Sequence, residues 1–213
     1  MDQNTVRNSA GIYLADIDLI GQAQIAALES RLTAAELLRY QRFSRPLRQR
    51  QFLVGRHLLR QLLTRALLVS EDRVILTERA GQAPLVHIEG VAVAPYFSLS
   101  HTANWVACAM SHSTPVGLDI EWLDANRNLA AISEHTFPAE ENAWFKRQLE
   151  ENRVRAFYQL WSTREARYKL TQSHAYRASD VCYVVPHPAL SIVLMTGQAL
   201  CETPTCETMA LHV

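Results

Sequence analysis

Two short stretches carry the residues whose types and spacing could do chemistry. In Pro115-Val116-Gly117-Leu118-Asp119-Ile120-Glu121 the run from Val116 to Ile120 reads as a buried strand, yet it holds Asp119 and Glu121. At i and i+2 their carboxylates leave the strand on one face. In Trp161-Ser162-Thr163-Arg164-Glu165-Ala166-Arg167-Tyr168-Lys169 the pattern is helical, with Phe157, Trp161, Glu165 and Lys169 on one row at i+4 intervals. An apolar row that turns into a carboxylate and an amine points those groups inward, where charge is costly unless matched. Asp119, Glu121 and Glu165 could together hold one hard cation. A plainer reading fits the same residues: Asp119 and Glu121 finish a strand, and Glu165 pairs with Lys169 for about 0.2–0.5 kcal/mol.

Those elements need a frame, and 213 residues allow one large domain or two of about 100 residues each. A hydrophobic content of 48% can fill a core. Lys plus Arg and Asp plus Glu both number 21, so no net charge draws the chain to nucleic acid or an anionic membrane. Basic charge is local instead: eight arginines and no acidic residue lie between Arg39 and Arg65. The cysteines Cys108, Cys182, Cys201 and Cys206 lack Cys-x-x-Cys spacing, which argues against a zinc site or a disulfide framework. Met1 to Ala10 lacks a signal-peptide pattern, and no apolar run approaches the roughly 18 residues that span a bilayer. A reducing, cytoplasmic setting is expected.

The spacing predicts a strand over Gly11–Leu19, with Asp16 and Asp18 on one face, and a helix over Gln22–Arg31. Thr33-Ala34-Ala35-Glu36 is a capping-box pattern that starts a second helix, which should stop by Arg45. The longest helix runs from Pro46 to about Val69, with Arg48, Arg56 and Arg60 largely off its apolar stripe and Arg42, Arg45 and Arg50 crowding its start. Arginines there oppose the helix dipole, so they either bind an anion together with the helix end or form a solvated basic face. Strands are expected over Arg73–Arg79, Ala83–Ile88, Tyr96–Ser100, Asn104–Ser111 and Val116–Glu121. Helices follow over Asn126–His135, Pro138–Glu150 and Arg153–Gln172. Asp180–Pro186, Leu190–Met195 and Thr205–His212 read as strands closing a sheet. This order suggests two α+β halves, residues 1–114 and 115–213, with the first acidic stretch at their junction, where ligand sites are common.

A third constellation ends one strand. Tyr96-Phe97-Ser98-Leu99-Ser100-His101 offers a hydroxyl and an imidazole that could donate to a phosphate, or that simply finish the strand. No acid at a telling spacing makes a hydrolytic triad of them.

In order, Phe97-Ser98-Leu99-Ser100-His101, Val116-Gly117-Leu118-Asp119-Ile120-Glu121 and Trp161 to Lys169 resemble the signatures of the 4′-phosphopantetheinyl transferase superfamily. Their spacing resembles its single-chain, Sfp-type group. Phe52-Leu53-Val54-Gly55-Arg56, within the arginine-rich segment Arg42–Arg60, and Phe137-Pro138-Ala139-Glu140-Glu141 resemble two further family motifs, so the likeness covers residues 36–172. The resemblance implies transfer of phosphopantetheine from coenzyme A to a serine hydroxyl of an acyl or peptidyl carrier protein, releasing 3′,5′-ADP. It implies a pseudo-twofold pair of α+β halves, each a small antiparallel sheet packed on helices, with coenzyme A in the cleft between them. By the same resemblance Asp119, Glu121 and Glu165 are Mg²⁺ ligands. Lys169 and His101 contact the diphosphate, and Ser100 is a further coenzyme A contact. Glu165 is the expected base for the serine, and Arg42 and Arg50 the expected 3′-phosphate contacts.

The chain departs from the family pattern at three places. Arg164 stands where lysine is usual, Gln82 in Gly81-Gln82-Ala83-Pro84 replaces another lysine, and Leu170-Thr171-Gln172-Ser173-His174 replaces a glycine-rich turn. Arg147, Arg153 and Arg155 are candidates for docking an acidic carrier. No nucleic acid or membrane is implied, and two fused halves make a monomer sufficient. Two rival readings remain at this level: a coenzyme A or carrier-protein binding module without turnover, and a metal-dependent nuclease. The nuclease is disfavoured because Lys169 lies four residues after Glu165 and the chain has no net positive charge.

Overall fold

The computed structural model of the chain describes residues 8–79, 81–172, 175 and 177–212. Along the first part run β1 (Gly11–Asp16), α1 (Gln22–Ser30), α2 (Ala34–Gln41), α3 (Pro46–Leu67), β2 (Val74–Thr77), β3 (Leu85–Ile88), β4 (Tyr96–Thr102) and β5 (Trp105–Ser111). Then come β6 (Val116–Trp122), α4 (Leu129–Thr136), α5 (Ala139–Lys146), α6 (Glu150–Thr171), β7 (Val181–Val185), β8 (Leu190–Thr196) and β9 (Thr205–Thr208). Among the described residues three sheets form, with orders β4-β5-β1-β9, β2-β3 and β6-β8-β7.

Local chemistry explains the boundaries. The capping box is formed: Glu36 N donates to Thr33 Oγ1 at 3.4 Å and Thr33 N donates to Glu36 Oε2 at 3.0 Å. Pro46 opens α3, where its missing N–H costs nothing. The expected first strand stops early, because Asp16 accepts from Asp18 N and starts a 3-10 turn over Ile17–Leu19. Asp16 and Asp18 therefore do not share a strand face. The helix expected to reach Glu150 ends at Lys146, and α6 starts at Glu150 with Glu150 and Glu151 in its first turn.

The core is layered. Ile12 and Leu14 of β1, Ala107 and Ala109 of β5, Leu118 and Ile120 of β6 and Ile192 and Leu194 of β8 form one buried cluster, so the four-stranded and three-stranded sheets pack face to face. Leu53, Leu58 and Leu62 of α3 pack with Val106 and Cys108 on the outer face of the first sheet. Ala166 and Leu170 of α6 pack with Val193 and Met195 on the outer face of the second. The result is helix, sheet, sheet, helix, an α+β architecture as expected from the sequence. Among the described residues no helix is long and apolar enough to cross a membrane.

Two expectations are corrected. β9 does not join β7 and β8 but adds to β1 in parallel, with Gly11 opposite Thr205. Arg56 and Arg60, expected off the apolar stripe, are buried, at 5% and 4% exposure. Their charges are matched by partners from other elements: Arg60 Nη2 donates to both Glu36 oxygens at 2.7 Å, and Arg56 grips Glu78 with two bonds of 2.6 and 2.9 Å.

Candidate active site

The two large sheets meet at their edges, β4 and β6. No backbone ladder joins these strands. Side-chain hydroxyls take its place: Leu118 N, Ile120 N and Trp122 N donate to Ser98 Oγ, Ser100 Oγ and Thr102 Oγ1 at 2.9, 3.2 and 3.1 Å. Residues at i, i+2 and i+4 of β4 share one face, and that face turns to β6. Phe97 and Leu99 point the other way, against the α3 core. His101 follows them, so Ser100 and His101 leave the strand on opposite faces.

On β6 the alternation sends Leu118 and Ile120 into the core between the sheets and leaves Gly117, Asp119 and Glu121 facing α6. The helix can come close only because Gly117 has no side chain: a Cβ there would lie 2.1 Å from Ala166 O and 2.5 Å from Leu170 N. That approach brings Lys169 to Asp119, with Nζ donating to Asp119 Oδ1 at 2.8 Å and to Ser100 Oγ at 2.9 Å. Ser100 Oγ in turn donates to Asp119 Oδ1 at 3.0 Å, and Thr102 Oγ1 donates to Glu121 Oε2 at 3.0 Å.

Asp119 is 4% exposed, and its Oδ2 is buried without a hydrogen-bond partner. Glu121 is held above the ordinary glutamate range, first by burial and then by the Asp119 carboxylate beside it, against the pull of Thr102, Lys169 and Arg127. An orphaned carboxylate oxygen beside a second carboxylate fits a hard cation, and Mg²⁺ commonly takes one or two protein carboxylates with phosphates and water. Glu165 does not complete a tight trio: among the described residues no three His, Cys, Asp or Glu side chains are grouped closely enough to hold a metal. The helix explains this. Lys169 occupies the turn of α6 that reaches Asp119, and Glu165 sits one turn back, about 6 Å along the axis.

Beside this cluster opens a cavity of about 570 Å³, lined by Arg39, Arg48, Arg56 and Arg79 from the first part of the chain, His101 from β4, and Glu165 and Lys169 from α6. His101 is exposed at the end of β4, yet partial desolvation of its ring beside the cavity, then the charges of Arg48 and Lys169, lower its imidazole below the usual value, which favours the neutral form at pH 7. Arg39 and Arg56 are both paired with Glu78. Burial alone would raise the Glu78 carboxyl, yet the bonds from Arg56 and Arg39 hold it low. Arg48 has no carboxylate partner among the described residues; it stacks over Phe43 at 5.0 Å, and burial followed by repulsion from Arg39 and Arg56 lowers its pKa. Its Nη1 donates to Gln51 Oε1 at 3.4 Å, so it lines the cavity with a neutral partner and no counter-charge.

Arg42 and Arg50, expected at this anion site, are not among the lining residues. Arg42 caps the end of α2, and Arg50 lies two residues from Arg48, roughly 200° around the helix, where its charge acts on Tyr40. Of the departures from the family pattern, Gln82 lines the cavity, whereas Arg164 pairs with Glu141 at 3.2 Å. Ser173 and His174 lie outside the described residues. Arg153 and Arg155 donate to backbone carbonyls, of Gln148 and of His187 and Pro188. Sequence reasoning missed Thr102 and Glu78, and it named Arg48 in the arginine-rich segment while choosing Arg42 and Arg50 for the anion. Thr102 had a signal, the Ser98-x-Ser100-x-Thr102 alternation; Glu78 had none, since its partners lie 22 and 39 residues away.

Comparison with known proteins bears on the family resemblance. Residues 115–206 match the family model for the 4′-phosphopantetheinyl transferase superfamily. The chain is 27% identical over 150 residues to the 4′-phosphopantetheinyl transferase HetI of Nostoc sp., covering 70% of this chain and 63% of that protein. It is 28% identical over 117 residues to the 4′-phosphopantetheinyl transferase gsp of Aneurinibacillus migulanus, covering 55% of this chain and 46% of the relative. To the 4′-phosphopantetheinyl transferase psf-1 of Bacillus pumilus it is 29% identical over 154 residues, covering 72% and 64%. The chain thus spans about half to two thirds of the length of these relatives. The resemblance of its motifs to the 4′-phosphopantetheinyl transferase superfamily is borne out.

Proposed function

We propose that the chain transfers the 4′-phosphopantetheine group of coenzyme A to a serine hydroxyl of an apo acyl or peptidyl carrier protein, releasing 3′,5′-ADP. The observation that carries this reading is the Lys169–Asp119–Ser100 cluster opening on an arginine-lined cavity. Fixed positive charge suits a diphosphate, and a carboxylate pair suits the cation that accompanies one.

The serine oxygen attacks the phosphorus that carries the pantetheine arm, a new P–O bond forms, and the bond to the departing ADP oxygen breaks. Glu165, at the cavity wall, takes the serine proton directly or through a water. Lys169 and the neutral His101 N–H hold charge on the departing 5′-phosphate of 3′,5′-ADP. Arg48 is the guanidinium offered to the 3′-phosphate, with Arg39 and Arg56 already held by Glu78. Asp119 and Glu121 would hold Mg²⁺, which when bound neutralises and orients the diphosphate. Residues 1–114 and 115–213 are read as two related halves around the cleft; the support is that α3 and α6, 22 residues each, cover matching outer faces of paired sheets. One chain then supplies both walls, so a monomer suffices.

Mass spectrometry of an apo carrier incubated with coenzyme A, Mg²⁺ and the protein is the test. A phosphopantetheine mass shift that disappears with chelator is expected, and Glu165→Gln should abolish it while coenzyme A binding partly survives. Failure to shift several carriers, with coenzyme A still bound, would favour a binding module instead.

A further inference from the structure

Each hydroxyl at the end of β4 performs two tasks at once. Ser100 Oγ accepts from Ile120 N at 3.2 Å and donates to Asp119 Oδ1 at 3.0 Å; Thr102 Oγ1 accepts from Trp122 N at 3.1 Å and donates to Glu121 Oε2 at 3.0 Å. The geometry repeats: a hydroxyl grips an acidic residue's carboxylate and the next residue's N–H, fixing the side chain against its own backbone. Ser98 has only half of it, accepting from Leu118 N at 2.9 Å and touching no carboxylate. The donor direction and both acceptor directions of Ser100 are filled by Asp119, Ile120 N and Lys169 Nζ. One oxygen of each carboxylate is thereby engaged, and in Asp119 the other, Oδ2, is left buried and unpartnered.

We propose that Thr102, with Ser100, is a positioning residue: the two hydroxyls bracket Glu121 and Asp119 and select which carboxylate oxygens are presented to the divalent cation. The inference rests on the reading of the acidic pair given under Proposed function. Outer-shell partners of this kind commonly change metal affinity about 10–100-fold when removed.

The experiment titrates Mn²⁺ into the protein, with and without coenzyme A, and counts free Mn²⁺ by electron paramagnetic resonance; thermal melting runs in parallel. Thr102→Val keeps the shape and loses the hydroxyl, so Mn²⁺ binding should weaken about 10-fold or more. Thr102→Ser should restore it to within a few-fold. Ser98→Ala loosens the same seam without touching a carboxylate, so it should lower the melting temperature while leaving Mn²⁺ affinity in place. Three results would overturn the proposal: unchanged affinity in Thr102→Val, equal weakening in Ser98→Ala, or no Mn²⁺ binding by the unaltered protein. Carrier loading is scored separately. Loading with hydroxyl-independent Mn²⁺ binding sinks the bracket alone, and a hydroxyl-dependent Mn²⁺ site without loading sinks only the transfer reaction.

Discussion

Replacing Gly117 with alanine tests whether the approach of α6 to β6 sets the site. The added Cβ would lie 2.1 Å from Ala166 O and 2.5 Å from Leu170 N. Carbon-to-oxygen contacts settle near 3.3–3.6 Å, so the helix must retreat by about 1 Å. Both clashing atoms are backbone, so no rotamer change relieves them. Overpacking of this kind costs about 1–3 kcal/mol. In a chain of this size that lowers the melting temperature by about 2–12 °C. The same retreat stretches the 2.8 Å contact of Lys169 with Asp119. A misplacement of about 1 Å can cost about 100-fold in rate, so carrier loading should fall that far while the protein remains folded. Gly55 provides the contrast: its added Cβ meets only Val106 Cγ1 at 3.6 Å, an ordinary contact, inside α3. Gly55→Ala should therefore stabilise by up to about 1 kcal/mol through helix propensity. A Gly117→Ala protein that melts like the parent and loads carrier at the parent rate would refute the reasoning.

Arg48→Gln should raise KM for coenzyme A with little change in kcat, because the lost guanidinium binds a part of the substrate remote from the reacting phosphorus; steady-state kinetics at varied coenzyme A separates the two. Glu78→Gln leaves Arg39 and Arg56 crowded without their counter-charge, and urea unfolding should show a loss of about 3 kcal/mol. The imidazole of His57, which is buried, is held below its usual value of 6.5, chiefly by that burial. A lowered base contributes stability that is whole above its unfolded pKa and lost as pH falls toward its folded one. Melting temperature should thus decline as pH drops below 6.5, and His57→Gln should make that decline shallower.

Period and punctuation made much of this chain legible. The capping box at Thr33, Pro46 at the start of α3, and the alternation through Val116–Glu121 are local signals, and the structure contains each of them. What escaped was non-local. Arg56 and Arg60 looked solvent-facing because helical spacing says nothing of Glu36 and Glu78, which arrive from other elements to neutralise them. β9 has too few apolar residues to announce which sheet it joins. At the site, the period-two rule sends Ser100 and His101 to opposite faces of β4, yet both line the same cavity. The carboxylates Asp119 and Glu121 were visible from their spacing, whereas their fixing by Ser100 and Thr102 needed the meeting of two sheet edges.

The parallel pairing of β9 with β1 makes the order of synthesis matter. β1 leaves the ribosome early and can pair with β5 on one side, but its other edge stays open until Thr205–Thr208 emerge. At about 5–20 residues per second that wait lasts on the order of 10 s or more, a long exposure for an unpaired strand edge. Folding of the first sheet is thus completed last. A ribosome stalled between Thr171 and Thr205 would hold a chain with β4, β6 and α6 made and its first sheet unfinished.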